Sequence, residues 1–259
     1  LPVQVPVYLY LACFGDNAQA AAGAEYASSS LQAHTAYLLS DSTTDYTVLL
    51  AGYFKDAFTQ LGGTIVLEAQ YDGHDGALDL SAQIAQLQGL GNLPDILYIA
   101  SGPDEIRAIV PQIRAAGIDR PIVGGDGYDT SELLQLGAGA DGVYYTTHAL
   151  LAADSTDARV RQFVADYQAR YGTAPENAFA GLGYDTVELL VDAIRRAGSS
   201  QRAAIGAALA STQDLVGVTG TISYVGGSHI PRKTVTVIRL QGGQRTLAAQ
   251  FIPAHVPSP

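Results

Sequence analysis

Ile118-Asp-Arg-Pro-Ile-Val-Gly-Gly-Asp-Gly-Tyr-Asp129 reads as a short apolar strand running into a glycine-rich turn that carries one central carboxylate, Asp126. Gly124, Gly125 and Gly127 surround that acid, and glycine serves where a backbone takes positive φ or lets another group come close. If the strand belongs to a parallel sheet, the turn lies at its carboxyl end, where open α/β sheets bind ligands. Asp126 then has two readings: it grips a ligand's ammonium group, or it closes an Asx-turn or caps the next helix. The remainder of the chain decides between them.

Outward from this stretch, strands and helices alternate. Thr35–Ser40 reads as a buried strand, and Tyr46–Leu61 as a helix with Leu50, Phe54, Ala57, Phe58 and Leu61 on one face before Gly62-Gly63. Thr64–Tyr71 is the next strand, followed by a helix near Asp79–Gln88. Asp95–Ala100 is apolar from Ile96 to Ile99, which suggests burial on both faces. The helix Pro103–Ala116 begins with proline in its first turn and ends at Gly117, while Pro111 inside it predicts a kink or a loss of stability. Strand Pro121–Gly124, a short helix after Thr130 and strand Gly142–Thr147 complete an α/β lobe built on a doubly wound parallel sheet.

The pattern changes at both ends of this lobe. Val5–Ala12 suits a buried strand, and the alanine-rich Ala18–Leu31 suits a helix. After the lobe, helices are expected at Asp157–Tyr171, Glu176–Ala197 and Gln201–Ala210. Such a succession cannot bury its apolar faces on a sheet already covered on both sides, so a second lobe is implied. Gly220–Val225, Thr234–Leu240 and Leu247–Ile252 read as β segments.

The totals narrow the function. With 259 residues, 47% hydrophobic and 15% charged, the chain is long and apolar enough for two ordinary α/β lobes. A formal charge of −11 and scattered basic residues argue against nucleic acid or an anionic membrane surface as partner. One cysteine, Cys13, excludes an intrachain disulfide. No apolar run has the length of a membrane-spanning helix. The chain opens at Leu1 without a basic, apolar leader, which points to a processed or shortened chain.

Catalytic signatures are missing. There is no Gly-x-Ser-x-Gly elbow and no phosphate loop, and the only lysines are Lys55 and Lys233. Gly181-Leu-Gly183-Tyr184-Asp185 is a partial dinucleotide fingerprint inside a helical segment, where close helix packing is the better reading. The five histidines share no ligand spacing, and Asp72, His74, Asp75 and Asp79 lack calcium-loop spacing, so no metal and no cofactor is expected. At the carboxyl ends of the inferred strands stand Asp41–Tyr46, Ala100–Gly102 and Asp126–Tyr128. Tyr46 offers an aromatic wall and a hydroxyl, Ser101 a hydroxyl or helix cap, and Asp126 a charge. Converging on one sheet edge, they suggest a small polar ligand.

These residues also carry a family resemblance. Phe14-Gly-Asp-Asn-Ala-Gln, Asp41 with Asp45-Tyr46, Phe54 to Gly63, Ile113-Arg-Ala-Ala-Gly, Gly124-Gly-Asp-Gly, Phe179-Ala-Gly-Leu-Gly-Tyr-Asp and Gly217-Val-Thr-Gly-Thr-Ile resemble the type I periplasmic binding proteins. The likeness is to their leucine/isoleucine/valine-binding branch, the extracytoplasmic receptors of ABC transporters, and it spans nearly the whole chain. It implies two α/β lobes joined by a hinge and closing on an amino acid in an interlobe cleft, a permease as partner, a periplasmic or extracellular location, and binding without catalysis. By position, Asp126 is similar to the acid that holds the ligand ammonium, Tyr46 to a tyrosine lining the cleft, and Tyr184 to an aromatic from the other lobe. Gly102 departs from the pattern, since relatives often carry an aromatic there.

Family members also begin with a further run of strands and helices that builds most of the first lobe. The implied division is therefore 1–15 as hinge strand and remnant of the first lobe, 16–150 as the second lobe, 151–215 as the helical part of the first lobe, and 216–259 as hinge return and C-terminal strands. Helix faces without a sheet to cover them predict association, as a homodimer or with a missing N-terminal segment. The competing readings are a ligand-sensing or regulatory domain on the same fold, a truncated half-receptor acting through association, and an enzyme on the same architecture.

Overall fold

The computed structural model of the chain describes residues 8–74 and 78–258. They divide into two units: 16–147 with 236–258, called the sheet unit below, and 8–15 with 148–235, the helical unit.

The sheet unit opens with α1 (Asp16–Ser29), β1 (Thr35–Asp41), α2 (Asp45–Gln60), β2 (Thr64–Tyr71), α3 (Ser81–Gln88) and β3 (Ile96–Ala100). Next come α4 (Pro103–Ala115), β4 (Ile122–Gly124), 3-10 segments at Asp126–Tyr128 and Glu132–Ala140, and β5 (Val143–Thr147). These strands lie in the order β2-β1-β3-β4-β5, all parallel. The chain steps outward from β1 to β2 and then crosses back past β1 to β3. That reversal makes a doubly wound sheet, an architecture that generally binds ligands at the carboxyl ends of the strands flanking the reversal, here β1 and β3.

Local chemistry accounts for the elements. Thr44 caps α2 with its side chain on the Thr47 N–H, and Leu50, Phe54, Ala57 and Phe58 form the buried stripe. Phe54 stacks on Tyr98 of β3 with ring centroids 3.6 Å apart. The helix ends at Gln60, Gly62 just beyond it takes the left-handed conformation (φ 88°), and a Cβ on Gly63 would stand 2.4 Å from the Phe58 ring. Ala20, Ala21, Ala24 and Ala27 of α1 join the same core as Ala36, Leu38, Ile96, Tyr98 and Val123. The intervening strand residues Tyr37, Leu39, Leu97, Ile99 and Ile122 are equally buried. Because successive strand side chains alternate in direction, the sheet is covered on both faces. Only edge strand β2 alternates in exposure. Helix α4 runs through Pro111, which lies on its exposed face, where water can serve the carbonyl left without a donor.

The helical unit contains α5 (Ala158–Tyr171), α6 (Ala178–Ala197), α7 (Arg202–Ala210) and a small antiparallel pair, β6 (Leu215–Gly217) and β7 (Gly220–Ile222). Asp157 and Asn177 cap α5 and α6, and Gly172 and Gly198 end them in the left-handed conformation. On α6, Val187, Leu190, Val191 and Ile194 are exposed. The expected uncovered apolar face is thus present within this unit.

One expectation is corrected. The strand proposed for Val5–Ala12 begins outside the described residues, and 8–12 form no strand: one backbone bond, from Leu11 N–H to the His229 carbonyl, replaces a ladder. The closing segments β8 (Val235–Gln241) and β9 (Gln244–Phe251) extend the large sheet, β8 pairing antiparallel with β5. Its burial pattern shows why, since five of its residues, Val235 to Ile238 and Leu240, are buried and demand a partner on each side. No described helix is long and apolar enough to cross a membrane.

Candidate functional site

The fourth strand ends where the sequence places it, and the turn after it brings Asp126 beside residues from α1 and α2. The Tyr46 hydroxyl donates to Asp126 Oδ1 at 2.8 Å, and Gln19 Nε2 donates to the same oxygen at 3.3 Å. Asp126 returns its own N–H to Gln19 Oε1 at 3.1 Å, while the Gly127 N–H donates to the Tyr46 hydroxyl at 3.2 Å. These neutral side-chain donors hold the half-buried carboxylate in place at the turn. Burial pushes the Tyr46 hydroxyl well above the ordinary phenol range, and the Asp126 charge beside it adds to the shift. Tyr46 therefore stays protonated and remains a donor.

The glycines of the turn serve space and not handedness, for none of the three takes positive φ. A Cβ on Gly124 would stand 2.3 Å from the Tyr128 ring, and one on Gly127 2.5 Å from the Ser101 carbonyl oxygen. On Gly125 it would meet Leu50 at 2.6 Å and the Tyr46 hydroxyl at 2.7 Å. Gly125→Ala is therefore expected to displace Tyr46 from Asp126 and to cost about 1–3 kcal/mol of stability, typical of overpacking. A thermal melt of the variant checks this, and an unchanged midpoint would mean that Tyr46 is free to move aside.

The other expected site residues separate by depth. Tyr128 is fully buried, donates to the Ile99 carbonyl at 2.6 Å, and is a strut under the turn in place of a surface for a guest. Ser101 is likewise buried, while Gly102 is half-buried at the start of α4. Asp41 is a turn former: burial opposes its charge, yet bonds from Thr43 and Gly73 outweigh that and hold its carboxyl below the usual range. Asp129 is engaged by Thr147 at 2.8 Å and Arg245 at 3.6 Å.

Tyr184 belongs to the helical unit. It packs against Phe163 with ring centroids 5.3 Å apart and lines an open groove of about 520 Å³ with Arg159, Glu188 and Asp192. On the same helix, Phe179 sets its ring edge on His148 at 6.0 Å, and His148 stacks on Phe14 at 3.8 Å. Gly181 supports the packing interpretation of the Gly-Leu-Gly motif, since a Cβ there would come within 2.9 Å of Thr219. Gly183 has open space around it. Asp75 lies outside the described residues, and among the described ones no cluster of three or more His, Cys, Asp or Glu is arranged to hold a metal.

Sequence reasoning missed Gln19. It is 1% exposed and also accepts from Thr146 at 3.3 Å and donates to Asp16 at 2.9 Å. Its signal was available: an amide inside an alanine run, on the helix face that packs inward, requires partners.

A family model described as periplasmic binding protein matches residues 6–244. No curated protein matches the chain significantly. Among solved structures, a leucine-binding protein of Thermotoga maritima shares 32% identity and a TM-score of 0.86, over 98% of this chain and 71% of that one. A branched-chain amino acid transporter substrate-binding protein of Streptococcus pneumoniae, solved with isoleucine, shares 29% identity and a TM-score of 0.80, over 95% and 67%. A solute-binding protein of R. palustris, solved with benzoate, shares the fold at 20% identity and a TM-score of 0.80, over 94% and 65%.

Proposed function

This chain belongs to the periplasmic binding protein family, and we propose that it is the extracytoplasmic solute receptor of an ABC importer, binding a small amino acid without transforming it. The observation that carries this reading is Asp126. It stands at the carboxyl edge of a doubly wound parallel sheet, one strand from the topological switch, aimed by Tyr46 and Gln19. A carboxylate so fixed suits an ammonium group, which brings several donors and a full positive charge. The relatives solved as a leucine-binding protein and with isoleucine support an amino acid as the ligand class. In this reading the permease of the importer is the protein partner, and the ligand passes to it unchanged.

Titration calorimetry against amino acids tests the assignment. Asp126→Ala is expected to weaken binding by about 1.5–3 kcal/mol, the size of a hydrogen bond to a charged group. Tyr46→Phe should weaken it less, because Gln19 still orients the acid. Equal affinity in the wild type and Asp126→Ala would remove Asp126 from the site.

A further inference from the structure

The turn that presents Asp126 is fastened at its exit as well as by Tyr46 and Gln19. Asp129 closes it, its backbone N–H donating to the Asp126 carbonyl at 3.0 Å. The Asp129 carboxylate belongs to a residue only 5% exposed, and it accepts from the Thr147 hydroxyl at 2.8 Å and the Tyr145 hydroxyl at 3.2 Å, both on β5. The guanidinium of Arg245, on β9, stands 3.6 Å from the same carboxylate. Arg245 is brought there by the β8–β9 hairpin, whose two turn glycines, Gly242 and Gly243, take positive φ. The Gly242 N–H donates to Asp141 Oδ1 at 2.6 Å, and a Cβ on Gly243 would stand 3.3 Å from the Gly137 Cα, so the hairpin turn is seated against the second 3-10 segment.

This arrangement bears on the direction of Asp126 more than on stability. A buried ion pair offsets its own desolvation only in part, so its net contribution to stability is small, yet it admits one placement of the chain that carries it. The chain it carries is a turn whose three glycines supply no side chain of their own to fix its direction. Tyr128 props that turn from beneath through its bond to the Ile99 carbonyl, and Asp129 determines where it leaves. Groups that bind a ligand are held in their productive geometry by partners of this kind, one layer further out.

We propose that Asp129 and Arg245 are positioning residues of the ligand site: the ion pair between them sets the exit of the turn and, through it, the direction of the Asp126 carboxylate. The inference rests on the reading of Asp126 as the ammonium site. It adds that the β8–β9 hairpin, more than a hundred residues along the chain from that turn, tunes ligand affinity without touching the ligand.

Calorimetric titration of the full chain with leucine, isoleucine, valine, glutamine and lysine, repeated on Arg245→Met, tests the assignment, because it reads the dissociation constant and the fraction of competent protein separately. Arg245→Met is expected to weaken the tightest of these ligands about tenfold, the low end of the cost seen when an orienting partner of a binding group is removed, and Arg245→Lys should keep most of the affinity. In an Asp126→Ala background Arg245→Met should weaken binding no further, since the group it positions is gone. A reduced competent fraction with an unchanged dissociation constant, or an equal loss in both backgrounds, overturns the positioning role and leaves the reading of Asp126 standing. If Asp126→Ala itself binds as tightly as the wild type, or none of the five ligands binds, both fall. Should Arg245→Met fail to fold by circular dichroism, Thr147→Val removes one hydrogen bond to Asp129 without stranding a charge and supplies the same comparison.

Discussion

Raising the pH above about 10 is expected to unfold the sheet unit in a single cooperative step, because its buried tyrosines cannot ionise in place. Tyr37, Tyr71, Tyr98 and Tyr145 are pushed above the ordinary phenol range, burial being the first cause in each. Tyr46 and Tyr128 are shifted in the same direction, again chiefly by burial. A phenol whose folded value is raised keeps its proton in the native state after the unfolded chain has lost it. The stability tied to that proton is complete below the unfolded value, about 10, and drains away as the pH rises through the folded one. Each such group removes about 1.4 kcal/mol per pH unit. Six together remove roughly 8 kcal/mol per unit, comparable with the whole stability of a domain. Tyrosinate absorbance and far-ultraviolet circular dichroism, monitored together, should therefore change in one transition. A gradual rise in absorbance with the dichroism retained would show that water reaches these hydroxyls.

That dependence was invisible in the sequence, although most of the fold was not. Strand and helix order in the sheet unit could be read from periodicity and from stops such as Gly62 and Gly117, and the elements lie within a few residues of expectation. Asp126 and Tyr46 stood out because strand ends of a parallel sheet share one edge, and a hydrogen bond does bring the two side chains together. What could not be read was anything fixed by distant pairing. The pairing of β8 (Val235–Gln241) with β5 could not be read, because nothing local says that β5 lacks a neighbour. The turn glycines were justified by handedness or close approach, and only packing shows that Tyr128, Tyr46 and Ser101 fill their space. Gln19 escaped notice because it takes its meaning from Asp126, a group far along the chain.

Asp185→Ala is expected to destabilise the helical unit by about 3–5 kcal/mol at neutral pH, the range for leaving a buried charge uncompensated. Asp185 is 1% exposed on α6 and accepts from the Val218 N–H at 2.6 Å, the Thr219 N–H at 2.8 Å and the Thr219 hydroxyl at 2.5 Å. That hydroxyl in turn accepts from Lys233 Nζ at 2.5 Å, and Lys233 also donates to the Ala12 carbonyl at 3.0 Å. One carboxylate thus ties the β6–β7 turn to α6 and, through Thr219, shields a buried ammonium. Burial lowers Lys233 from 10.5 to about 8, and the Asp185 charge is the main influence holding it up. Since the unfolded chain binds the lysine proton more strongly than the folded one, stability from this group rises with pH between about 8 and 10.5. Without Asp185 the ammonium is buried uncompensated, so the variant should lose most at neutral pH and recover part of the loss as the pH approaches about 9. Hydrogen exchange at the amides of 215–222 reads this unit separately from the sheet unit. Asp185→Ala combined with Lys233→Met should be less damaging than Asp185→Ala alone, since no charge is then stranded. If the single and double variants lose the same stability, and the loss does not change with pH, the acid serves only as an acceptor for the turn and the lysine charge plays no part.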